Sequence, residues 1–154
     1  MLSILKELVH ARGVGLDISK EAVRTAKINS KNLNLLNRSK FKVFDIIEFN
    51  MGKYDLIVSN PPYIPSRDMR NLSPDITNYE PMIALNGGHD GLDLIKKVIY
   101  KSSRLLKKNG LLAIEIGNRQ YFKVSSLLAQ HSYRELNKEY DYNRNVRCII
   151  STRS

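Results

Sequence analysis

The chain has 154 residues, 42% of them hydrophobic and 26% charged, with a formal net charge of +10 and one cysteine. That length and balance suit a single globular domain with one core, exclude an internal disulfide, and leave no apolar run of the ~20 residues needed to cross a bilayer. A strongly positive chain meets nucleic acid or ribosome-associated factors faster than a neutral one, but the lysines are spread along the sequence rather than clustered, so the charge alone selects no partner.

The opening MLSILKELVHARG lacks the layout of a signal peptide, because Lys6 and Glu7 interrupt its apolar stretch. A cytoplasmic domain is therefore expected. Residues 4–9 predict the end of a helix, and residues 13–16 a short strand closed by Asp17. Ser19 is a candidate N-cap for a helix whose apolar stripe (Ala22, Val23, Ala26, Leu33) runs to about residue 36. Phe41, Val43 and Phe44 predict a second strand closed by Asp45. YDLIVS at residues 54–59 predicts a third, continuous in apolar residues as a buried parallel strand is. From Asn60 to about Gly91 runs a loop holding all five prolines of the chain, a concentration that predicts an ordered functional loop. A helix over residues 92–107, stopped by Asn109-Gly110 as a C-cap signal, leads to a strand at 111–116 and a helix at 120–131. A hairpin closes the chain, with strands at 133–140 and 146–151 around a turn at Asp141-Tyr142-Asn143. Cys148 sits in its apolar second strand, as a buried small hydrophobe does.

Alternating strands and helices ending in an antiparallel hairpin predict an α/β, doubly wound sheet whose ligands sit at the carboxyl ends of the strands. Asp17, Asp45 and Asn60 each close an apolar strand and are expected to converge on one rim. An acidic residue in the place of Asp17 accepts from ribose hydroxyls, or else serves the following helix as a capping carboxylate. Asp45 either accepts from an adenine amino group, with Ile46 packed on the ring, or is a solvated turn residue.

Asn60-Pro61-Pro62-Tyr63 carries more. An amide or aromatic amino nitrogen is a poor nucleophile, because its lone pair is delocalised. An enzyme that methylates one must hold both N–H groups on acceptors that favour pyramidalisation as the methyl arrives. The Asn60 side-chain oxygen and the Pro61 carbonyl supply two such acceptors, and consecutive prolines fix the backbone that aims the carbonyl. The Tyr63 ring offers a flat surface for a planar amide. No strong base is needed, since the proton becomes acidic once the nitrogen is alkylated. A plain polyproline turn is the simpler reading; the strand before it and the two strand-ending aspartates upstream favour the chemical one.

The runs DLIVSNPPYIPSRD, LSPDITNYEPMIALNGGHDGLD and KKNGLLAIEIGNRQ, with DYNRNVR in the closing hairpin, resemble the HemK-type release-factor glutamine methyltransferases over nearly the whole chain. NPPY alone is shared with DNA adenine and RNA amino-methyltransferases; the segment from Tyr79 to Leu92 is more specific to the glutamine family. The resemblance implies a class I S-adenosylmethionine-dependent, Rossmann-like methyltransferase sheet with a C-terminal antiparallel hairpin. It further implies S-adenosylmethionine as donor, no metal, peptide chain release factors as partners and the glutamine of their Gly-Gly-Gln motif as acceptor, the enzyme acting as a monomer. Asp17, Asp45, Ile46 and Asn60 then face the cofactor, while Asn60, Pro61, Pro62 and Tyr63 bind the substrate amide and carry the catalysis. Glu80, Pro81, Gly87 and Gly88 shape the loop over the site.

The sequence departs from the family at its start. No strand or glycine-rich turn like the family's first is read before Leu2, Gly13 and Gly15 lie around the second strand instead, and the family's helical N-terminal domain is expected to be absent. Residues 1–154 are therefore expected to be a catalytic domain incomplete at its N-terminus, through truncation or gene decay rather than completion by another chain. Two half-sheets with unpaired edges and weak S-adenosylmethionine binding are expected with it. The alternatives are a DNA or RNA amino-methyltransferase and an inactive fragment that binds release factor.

Overall fold

The computed structural model describes residues 1–153, and they divide into two compact units, the first Met1–Asn50 and the second from Met51 onward. In the first, α1 (Leu2–Glu7) precedes β1 (Gly13–Asp17), α2 (Lys20–Asn32) and β2 (Ser39–Val43). β1 and β2 pair in parallel, Gly13 opposite Ser39 and Asp17 opposite Val43. α2 begins where expected: the Ser19 hydroxyl accepts from the Ala22 N–H at 3.1 Å, and Val23 is buried. It stops short of residue 36 because Asn34 turns left-handed at φ 58°. The Leu35 N–H then reaches back to the Ser30 carbonyl at 2.9 Å and the Asn34 N–H to Lys31 at 3.0 Å, the Schellman closure that satisfies the last carbonyls. Leu35 is thereby turned into the interior. α1 likewise ends at Glu7, before residue 9, where the Arg38 guanidinium binds the carbonyls of Leu5, Leu8 and Ala11.

The second unit runs β3 (Tyr54–Ser59), a 3₁₀ turn (Ser66–Asn71), α3 (Pro74–Thr77), α4 (Met82–Leu85), α5 (Asp93–Leu105), β4 (Leu106–Glu115), α6 (Tyr121–Gln130), β5 (Tyr133–Tyr140) and β6 (Val146–Arg153). Its four strands lie in the order β3-β4-β6-β5, β3 and β4 parallel and the others antiparallel. Leu112 and Ile114 of β4 stand opposite Ser151 and Ile149 of β6, all buried with Ile95, Val98 and Ile99 of α5 and Val124 and Leu128 of α6. The strands thus make two sheets, with the closing hairpin as expected.

Four expectations need correction. β3 is an edge strand, not a buried one: its outer side has no partner strand among the described residues, and Leu56 and Val58 stay 37% and 55% exposed. Asn109-Gly110 does not cap a helix. α5 stops at Leu105, and Asn109, at φ 61°, lies inside β4 where the register slips between the pairs Tyr54–Leu106 and Leu56–Leu111. An Asn-Gly pair serves a left-handed residue equally well in a cap or a bulge, so the sequence does not distinguish them. The proline-rich stretch is ordered, but as short helices rather than loop: Pro65 and Pro81 stand just before the 3₁₀ turn and α4, and Pro74 opens α3. Cys148 is half-buried rather than fully so, and burial chiefly pushes its thiol up, with Glu115 and Glu139 adding to the shift.

Tyr133 on β5 is buried and its hydroxyl has no hydrogen-bond partner among the described residues, while burial raises its phenol well above the ordinary value. An unfolded tyrosine ionises near pH 10 and folded Tyr133 higher, so above about pH 10 the unfolded state binds fewer protons and stability falls as pH rises. Tyr133→Phe removes both the unpaired hydroxyl and this titration. The expected result is equal or up to about 1 kcal/mol greater stability at neutral pH and a flatter alkaline limb, measured by urea unfolding from pH 7 to 11.

Candidate functional site

Asp17 and Asp45 fall in the first unit, at the same end of the β1–β2 pair. Asp17 is the last residue of β1, and its carbonyl accepts from the Phe44 N–H at 2.9 Å, just past β2. Each aspartate spends one carboxylate oxygen on a local turn: Asp17 Oδ1 takes the Ser19 N–H at 2.8 Å and Asp45 Oδ1 the Ile47 N–H at 2.9 Å. The capping reading is therefore correct for Asp17, yet the second oxygen of each carboxylate has no partner among the described residues and remains an acceptor. Asp17 is exposed; Asp45 and Ile46 are half-buried.

Asn60 closes β3 in the second unit. It is exposed while Pro61 behind it is buried. Among the described residues neither the Asn60 side chain nor the Pro61 carbonyl makes an intramolecular hydrogen bond. The next residues are held from several sides. Ile64 pairs with Asn86, through Ile64 N–H to the Leu85 carbonyl at 3.0 Å and Gly87 N–H to the Ile64 carbonyl at 2.8 Å. The Asn86 Oδ1 accepts from the Ser66 hydroxyl and the Gly88 N–H, each at 2.9 Å. A side chain at Gly87 would meet the Pro62 and Gly91 carbonyls and the Tyr63 Cα at 2.8 Å, and one at Gly91, which sits at φ +75°, would meet the Tyr63 carbonyl at 2.4 Å. Gly87 thus shapes the loop by letting two backbones touch, whereas Glu80 and Pro81 stand exposed, with the Glu80 charge still near enough to add to the rise of the Tyr63 phenol.

Gln120 completes the arrangement. Buried at the head of α6, its Nε2 donates to the Tyr63 carbonyl at 2.9 Å and the Gly91 carbonyl at 3.1 Å, and its Oε1 accepts from the Gly117 N–H at 2.8 Å. One amide thereby ties the NPPY turn to the segment before α5 and to the end of β4. Tyr63 is anchored by its ring. Its hydroxyl donates to Glu115 Oε1 and accepts from Arg147 Nη1, both at 3.3 Å, with the guanidinium 5.7 Å from the ring centroid. Burial chiefly raises the Tyr63 phenol, and Glu115 reinforces that against the opposing pull of Arg147, so at neutral pH it is a hydroxyl.

The structure therefore gathers Asn60 to Tyr63 with Gly87, Gly91, Glu115, Gln120 and Arg147 in one unit, and Asp17 with Asp45 and Ile46 in the other. Sequence reasoning missed Glu115, Gln120 and Arg147 as partners of the turn, although they lie in the runs KKNGLLAIEIGNRQ and DYNRNVR. The signal was present as a match with no chemistry attached.

The family described as a methyltransferase domain matches residues 2–152. A release factor glutamine methyltransferase from Clostridium acetobutylicum is 38% identical over 155 aligned residues, covering 99% of this chain and 54% of that protein. A ribosomal protein uL3 glutamine methyltransferase from Francisella tularensis is 41% identical over 107, covering 69% of this chain and 34% of that protein. The chain thus spans about half the length, or less, of these relatives. Among solved structures, magnesium protoporphyrin IX methyltransferase from Synechocystis PCC 6803 with bound S-adenosylmethionine superposes with a TM-score of 0.66 at 16% identity, covering 99% of this chain and 64% of that one. At that identity the likeness is one of fold.

Proposed function

Because the chain belongs to the methyltransferase-domain family, we propose that it is the catalytic part of a protein-glutamine methyltransferase that uses S-adenosylmethionine to convert the glutamine of a release factor's Gly-Gly-Gln motif to N5-methylglutamine. The observation that carries the proposal is the pair of unengaged acceptors, the Asn60 side-chain oxygen and the Pro61 carbonyl, at the end of β3 on a turn that is otherwise tied down. A primary amide has two N–H groups in one plane, and two acceptors on adjacent residues match them. Relatives named for glutamine methylation support an amide over an aromatic amine.

S-adenosylmethionine fits the residues present: Asp17 and Asp45 each keep a carboxylate oxygen for hydroxyl or amino donors, and Ile46 offers an apolar contact. When bound it supplies an electrophilic methyl group and leaves as the neutral thioether. Asn60 Oδ1 and the Pro61 carbonyl accept the two amide N–H groups, drawing the nitrogen lone pair out of conjugation so that it faces the methyl. Pro61 and Pro62 keep the Pro61 carbonyl from reorienting during the reaction. Tyr63 flanks the planar amide and is held in place by Glu115 and Arg147. The nitrogen loses its extra proton to water after alkylation, so no side chain acts as base.

The test is to incubate the chain with labelled S-adenosylmethionine and, separately, a release factor, ribosomal protein uL3, and RNA or DNA. Label on the Gly-Gly-Gln glutamine, located by peptide mass spectrometry, is the expected result. Label on uL3 alone moves the acceptor within the same chemistry, and label on nucleic acid alone overturns the proposal.

A further inference from the structure

The basic residues that look scattered in the sequence are gathered by the fold of the first unit. Positions 20, 24, 27 and 31 of an α-helix fall within an arc of roughly 60° over about 16 Å, so Lys20, Arg24, Lys27 and Lys31 form one row along α2. All four are exposed. Beside them Lys40 and Lys42, alternate residues of β2, line a surface groove of about 380 Å³ together with Lys27. The row is fixed to the strand by the buried contact between the Ser30 and Ser39 hydroxyls at 2.6 Å. Among the described residues no ion pair neutralises any of the six, whereas Lys96 and Lys107 of the second unit bind Asp90 and Asp55. The acid that α2 carries in its first turn, Glu21, stands three residues before Arg24, a neighbouring position on the helix, but leaves the net charge of the row strongly positive.

Like charges one turn apart repel, and among the described residues no ion pair offsets them. A straight row of positive charge with no ion pair among the described residues is matched by the evenly spaced phosphates of a nucleic-acid backbone, whose bound counterions are released on contact. We infer that α2 and the flanking edge of β2 form a docking surface for the backbone of RNA. The six cations read phosphate and not base edges, so binding is independent of sequence. The choice of RNA rests on the function proposed above, whose acceptors belong to the translation machinery; the charge row itself asks only for a line of phosphates.

The test is fluorescence anisotropy with a labelled short RNA hairpin, the matching DNA duplex, and anionic phospholipid vesicles. No cofactor is added, so a failure of methyl transfer has no bearing on the outcome. The intact chain is expected to bind the hairpin with log K falling against log salt at a slope of about −4, as some six phosphate contacts imply. K20Q/R24Q/K27Q/K31Q should weaken binding about 30-fold or more at low salt and flatten the slope by about 3. K96Q/K97Q/K107Q/K108Q, which removes the same charge from the second unit, should stay within about threefold, with circular dichroism confirming that both variants are folded. Equal losses in the two variants, no binding to the hairpin, tighter binding to the DNA duplex, or binding to vesicles alone would each overturn the inference.

Discussion

Asn60→Ala is expected to lower kcat/KM for methyl transfer to release factor by about 10²–10³-fold, the usual consequence of deleting one preorganised hydrogen-bonding group that acts on the reacting centre. The chain's stability should stay nearly unchanged, because the Asn60 side chain is exposed and makes no intramolecular hydrogen bond among the described residues. The split between activity and stability is what the proposed role requires. Asn60→Asp sharpens the test: the carboxylate is the stronger acceptor, but it supplies a negative charge where the wild-type side chain is neutral. Equal activity in Asn60→Ala and wild type, measured by label transfer under single-turnover conditions, would remove Asn60 from the chemistry and with it the reading of the NPPY turn as an amide clamp.

Gln120 should behave in the opposite way, costing stability first. Gln120→Leu leaves the carbonyls of Tyr63 and Gly91 and the N–H of Gly117 without their partner in a buried place. Each orphaned group costs about 1–3 kcal/mol, and some relief by entering water puts the expected total near 3 kcal/mol in urea unfolding. Gln120→Glu separates the donor role from the acceptor role. It can still accept from Gly117, but when ionised it points oxygen at two carbonyls, which raises the folded-state pKa of the new carboxyl. A carboxyl with a raised folded pKa contributes fully only below its unfolded value, so this variant should recover stability as pH falls from the raised folded value toward about 4, and wild type should not. A Gln120→Glu variant as stable as wild type at pH 7 would show that the two carbonyls do not depend on the donor.

Much of this arrangement was legible from residue order alone. The Ser19 cap, the two strand-ending aspartates and the closing hairpin follow from local chemistry that acts within a few residues: a hydroxyl on an open N–H, a carboxylate after an apolar run, an Asp-Asn turn between alternating strands. The expectation of two half-sheets also matches the two sheets observed. What could not be read depends on partners far away in the chain. Gln120 lies 57 residues from the Tyr63 carbonyl it holds and Arg147 lies 84 from the Tyr63 hydroxyl. Neither sequence neighbourhood carries a mark of that use. Asn109-Gly110 was misplaced for a different reason: the pair reports a left-handed residue and not the element around it. The lysines of α2 show the same limit in reverse, since a period of 3.6 turns a dispersed sequence into a row.

The edge position of β3 bears on how the protein behaves as a solute. A strand with an open hydrogen-bonding side and the outward apolar residues Leu56 and Val58 is a template on which another molecule can pair. The start of that strand carries Lys53 and Asp55, both exposed, which discourage close approach there, and the +10 net charge keeps whole molecules apart at long range. Salt shortens that range from about 30 Å at 0.01 M to about 8 Å at 0.15 M. Concentrated solutions are therefore expected to stay monodisperse in dilute buffer and to scatter more light as salt is added, the reverse of ordinary salting-in. Replacing Val58 with Lys should abolish the rise.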